Sequence, residues 1–74
     1  MKITRIDTTS DGHLYVEVDF GDTINDFLFP DTDDAEVIRR VIRDWRSSHS
    51  HVGDLRSPII LTGECRVPEL LGEL

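Results

Sequence analysis

From His13 to Phe20, polar and apolar side chains alternate without a break. Leu14, Val16, Val18 and Phe20 fall on one parity, and His13, Tyr15, Glu17 and Asp19 on the other. A period of two is that of a strand with one face buried. A strand from Lys2 to Thr8 precedes it, and Ser10-Asp11-Gly12 between them supplies a tight turn with Gly12 free to take a positive φ. Gly21-Asp22 then fits a two-residue turn with glycine first, leading into a third strand from about Thr23 to Phe29. There Ile24 and Leu28 share one face while Phe27 and Phe29 share the other, so this strand is buried on both sides or carries a bulge.

After Pro30 the period changes. Asp31-Thr32-Asp33-Asp34 opens a helix predicted from Asp33 to Ser47, capped by Thr32 or Asp33, with Asp33 and Glu36 at capping-box spacing. Val37, Ile38, Val41, Ile42 and Trp45 form one stripe, which is expected to pack on the sheet. Val18 and Val41 are therefore both expected in the core. Residues 47–54 read as an exposed loop. Pro58 to Leu61 reads as a strand, turned by Thr62-Gly63 into a partner at Glu64 to Val67. The tail after Pro68 is at most one helical turn. The pattern predicts a single α+β domain over residues 1–74. Its antiparallel sheet has a three-stranded N-terminal meander, strand two central, and one or two C-terminal strands. One helix covers one face.

Length sharpens this picture. A chain of 74 residues is one domain, and at that size only about 60% of the unfolded surface is buried. Cys65 is the only cysteine, so no internal disulfide helps. A partner subunit would supply the missing burial, and a homodimer to which the tail contributes is expected. No apolar run approaches the roughly 18 residues of a membrane span, and the N-terminus lacks the apolar stretch of a signal peptide. With one cysteine, this points to the cytoplasm and away from a membrane partner.

Charge gives the strongest functional hint. The net charge is −7; residues 1–36 carry −8 and residues 37–74 carry +1. Glu17 and Asp19 project from one face of strand two, spaced by about 6–7 Å, close to the spacing of phosphates along a nucleic-acid strand. Asp22, Asp26, Asp31, Asp33 and Asp34 extend this candidate surface, and Asp7 and Asp11 lie near it. Its natural complement is a basic protein, such as one that binds nucleic acid. Nucleic acid itself would be repelled. In size and charge the chain resembles small phage-encoded inhibitors, anti-CRISPR proteins among them; the likeness is one of composition and covers no motif. It implies an inhibitor or nucleic-acid mimic. The plain alternative is a solvated sheet face that keeps the domain soluble.

Other constellations are weaker. Arg39, Arg43 and Arg46 line the helix opposite its apolar stripe, and arginine suits bidentate contacts with carboxylates. With Leu70, Leu71 and Leu74 they form a candidate interface for self-association, as in a structural or assembly subunit of a phage particle. His49, His51, Asp54 and Cys65 offer donor types for a metal but no ligand spacing. Cys65 with either histidine has the types for nucleophilic catalysis, but no motif brings them together. No glycine falls in a phosphate-binding pattern. The sequence thus points to a non-catalytic protein without metal or cofactor, with a small enzyme or metal-binding domain as the third reading.

Overall fold

The computed structural model describes residues 1–30, 32–48 and 59–74. Three strands, β1 (Lys2–Thr8), β2 (Leu14–Asp19) and β3 (Ile24–Phe29), are followed by helix α1 (Ala35–Ser48). A single 3₁₀ turn at Pro68–Leu70 then leads into a short strand, β4 (Gly72–Glu73). The four strands form one antiparallel sheet in the order β3-β2-β1-β4. This is the expected α+β class, with β2 inside the sheet.

The glycines turn the chain where the pattern asks. Gly12 has φ 86° and Gly21 φ 96°. The Phe20 N–H donates to the Thr23 carbonyl at 2.9 Å, closing the two-residue turn between β2 and β3. The alternation of β2 then decides the faces: Leu14, Val16 and Val18 are fully buried, and Phe20 nearly so. In β1 the apolar residues Ile3 and Ile6 are three apart and would point to opposite faces of a regular strand. The register shifts between Ile3 and Arg5, so that Ile3 opposes Val18 and Ile6 opposes Val16. The bulge turns both isoleucines inward.

Helix α1 begins at Ala35, two residues after the expected start at Asp33. The Asp34 carboxylate accepts the N–H groups of Glu36 and Val37 at 2.9 and 3.2 Å, and its carbonyl takes the first helical bond from Ile38. Asp34 is the N-cap, rather than Thr32 or Asp33. Thr32 instead accepts the Asp34 N–H. The buried stripe is also narrower than expected. Ile38 and Ile42 are fully buried, with Ala35 and Trp45 packed against the core, but Val37 and Val41 are 42% and 44% exposed. Val41 is therefore not a core residue. It lies about 100° round the helix from Ile42, and the sheet does not reach that flank. Trp45 meets Phe27 edge-on at 5.2 Å and stacks on Phe20 at 6.0 Å, sealing the end of the core nearest the β2–β3 turn.

The C-terminal segment departs most from expectation. No second hairpin joins the described residues of 59–61 to 64–67. The Ser10 N–H donates to the Ile60 carbonyl and the Thr62 N–H to the Thr8 carbonyl, both at 2.8 Å, and Leu61 bridges Thr9. Gly63, at φ 82°, turns the chain away from a return strand. Glu64, Cys65 and Arg66 are exposed and supply no apolar face that a second hairpin could bury. Val67 and Leu70 enter the core, and β4 pairs with the start of β1. The outer edge of β1 is thus occupied at both ends by the returning chain.

Candidate partner-binding surface

With α1 on one side, the other face of the sheet carries the opposite parity of each strand. The register lays it out in rows. Lys2, Asp19 and Ile24 share the first row, Arg5, Glu17 and Asp26 the second, and Asp7, Tyr15 and Leu28 the third. The column from β2 runs acid, acid, tyrosine; the column from β1 runs cation, cation, acid; the β3 column is an acid between two apolar residues.

The middle row is unusual. Glu17 and Asp26 are direct cross-strand neighbours, and like charges so placed destabilise a sheet. Asp26 is exposed and Glu17 half-buried. Asp19 continues the acid column, although its Oδ1 also accepts the Gly21 N–H at 2.8 Å and holds the turn. Tyr15 is buried. Burial raises its phenol well above the ordinary value, and the hydrogen bond to Asp26 and the charges of Asp26 and Glu17 raise it further. It remains a protonated donor to Asp26 under all ordinary conditions.

Asp7 lies inside rather than on this surface, only 4% exposed. Its Oδ1 accepts the N–H groups of Thr8 and Gly63 at 2.8 and 2.9 Å, and its Oδ2 pairs with Arg5 at 3.1 Å. Burial alone would raise this carboxyl; the Thr8 N–H, the Arg5 guanidinium and the Gly63 N–H outweigh it and hold it below the usual carboxylate value. It ties the returning segment to β1.

The remaining acids divide. Both carboxylate oxygens of Asp22 accept from the single Arg46 Nη2 at 2.8 Å, and this contact, the largest influence, holds its pKa below the ordinary value. Asp33 pairs with Arg66 at 3.0 Å, and Asp34 caps α1. These three serve the fold, so of the seven acids expected on one surface the sheet face gathers Glu17, Asp19 and Asp26. Asp31 lies outside the described residues.

The alternative interface is divided in the same way. Leu70 is fully buried and Leu74 packs against the core, so neither is offered to a second copy as expected; Leu71 is half exposed. Arg39 donates to the Glu69 carbonyl at 2.9 Å. Arg46, besides its pair with Asp22, lies 5.1 Å over the Phe20 ring. Arg43 alone of the three arginines projects from the exposed helix face, its carbonyl accepting the Ser47 hydroxyl.

Cys65 is a free, exposed thiol. His49, His51 and Asp54 lie outside the described residues, and among the described residues no three donors cluster as a metal would need. No described helix is long and apolar enough to cross a membrane. One feature escaped the sequence pattern: a cleft of about 420 Å³ where Leu28, at the end of the sheet face, meets Ile59 and Ile60. No known protein family, curated protein or solved structure matches the chain.

Proposed function

We propose that the chain is a non-catalytic interaction protein that presents the open face of its sheet to a basic protein, as an inhibitor or nucleic-acid mimic. The observation that carries this is the middle row: Glu17 and Asp26 face each other across β2 and β3, with Asp19 two residues along. Like charges directly opposite disfavour pairing; Arg5 on the other side of Glu17 and the Tyr15 hydroxyl on Asp26 offset part of this, and a basic partner would offset more. Successive acids on β2 stand about 7 Å apart, near the phosphate repeat that nucleic-acid-binding clefts accept. Ile24, which is exposed, and the half-buried Leu28 add apolar area to the same face.

The test is a pull-down from the native host at low and high salt, comparing the parent with Glu17→Gln/Asp19→Asn/Asp26→Asn. These changes keep shape and hydrogen-bond acceptors and leave the Asp22, Asp33 and Asp34 contacts intact. A basic protein should be retained by the parent at low salt, released at high salt, and lost by the triple variant. Equal retention by parent and variant at low salt would overturn the proposal.

A further inference from the structure

Leu28, at the β3 end of the third row, borders the cleft, while Asp7 and Tyr15 of that row are buried. Leu28, Ile59 and Ile60 form the apolar lining of the cleft, with Ser10, Asp11 and His13 at its rim. Ile60 is 66% exposed although its carbonyl is fixed by the Ser10 N–H. The fold therefore holds an isoleucine in water at the mouth of a cleft large enough for a side chain. Among the described residues no hydrogen bond joins the side chains of Ser10, Asp11 and His13, so the rim is no catalytic constellation. Tyr15, across from Leu28, is buried with its phenol engaged by Asp26 and does not line the cleft.

The rows of the face repeat every two residues, about 7 Å. An extended peptide has the same repeat. Side chains at i, i+2 and i+4 of such a peptide, laid along β2, would meet Asp19, then Glu17 with Asp26, then the cleft beside Leu28. Lys2 and Arg5, in the β1 column, repel cations and keep a basic segment over β2 and β3. We infer that the partner docks through an extended segment with two basic residues spaced by one, and an apolar anchor one further spacing on, seated in the Leu28–Ile60 cleft. The need for basic residues rests on the function proposed above; the anchor rests on the cleft.

The experiment measures fluorescence anisotropy of labelled peptides on the whole chain at low salt. The probes are Arg-Thr-Arg-Thr-Leu and its reverse, each with a Leu→Ser version, and the shuffled Arg-Arg-Thr-Thr-Leu. One chain direction should bind about tenfold or more tightly than its serine version, as burial of a leucine side chain implies, and more tightly than the shuffled peptide. Ile60→Ser, a change at an exposed position, should remove the leucine advantage and leave the serine peptides unaffected. The triple acid-to-amide variant should weaken every basic peptide. Equal affinity of leucine, serine and shuffled peptides would overturn the anchor while leaving the acidic surface standing. If no peptide bound, the extended docking mode would fall, and the acidic surface would be judged by the pull-down alone.

Discussion

Asp7 shows how little a single letter reveals. On an alternating strand it reads as one more solvent-facing acid, yet it accepts two backbone N–H groups and an arginine beneath the returning chain. Its partner Gly63 is 56 positions away, a separation that no local pattern reports. Asp7 and Asp22 both have lowered pKa values in the fold. The stability they contribute is whole above the unfolded carboxylate value, about 4, and is lost as the pH falls through their lower folded values. Thermal melts across that acid range should show a fall that Asp7→Asn makes shallower; an unchanged acid limb would remove Asp7 as its cause. Tyr15 works in the other direction. Its pKa is raised, so its contribution is whole below about pH 10 and is lost as the pH rises through the folded value. Tyr15→Phe should flatten the alkaline limb of the same melts. The core valines separate as cleanly. Val18→Asp buries an unpaired charge at a position of zero exposure and should cost about 4 kcal/mol or more. Val41→Asp, on the exposed helix flank, should change stability by only about 0.5 kcal/mol. Urea titrations of the two variants decide whether the helix packs through Ile38 and Ile42 as described.

Elements were legible in proportion to their local pattern. The three N-terminal strands and both turns follow from period two and from Gly12 and Gly21. The helix follows from Pro30 and the spacing of Ile38, Ile42 and Trp45. Its flank stays exposed because five apolar residues make a stripe wider than this sheet can cover. The C-terminal segment follows no local pattern because its partners are distant: Thr8, Ser10 and the start of β1 capture it, and its two short apolar runs only resemble a hairpin. Two variants test these placements. Asp34→Ala removes the cap and should cost roughly 1 kcal/mol, whereas Asp33→Ala should cost less, since its exposed pair with Arg66 contributes little. Leu70→Ala should cost about 2–5 kcal/mol because Leu70 is fully buried, and Leu71→Ala close to nothing. Equal effects of the two leucine changes in chemical denaturation would mean that the tail does not close the sheet.

Across the whole molecule, the charge asymmetry along the sequence becomes a spatial one with fewer members. Glu17, Asp19 and Asp26 remain on the open face, while Arg43 projects from the helix on the other side. Reversing Arg46 or Arg39 would disturb contacts with Asp22 or Glu69 as well as any interface. Arg43→Glu is the cleaner probe of self-association, and light scattering of parent and variant reads it directly. The proposed partner-binding face is tested most directly by association kinetics with the basic protein recovered from the host, measured over a range of salt. Steering by an acidic surface gives an on-rate that falls steeply as salt rises. The account predicts that steep fall for the parent and for Arg43→Glu, and a slow, nearly salt-independent on-rate for Glu17→Gln/Asp19→Asn/Asp26→Asn with its circular dichroism unchanged. A folded triple variant that associated as fast as the parent, with the same salt dependence, would contradict it.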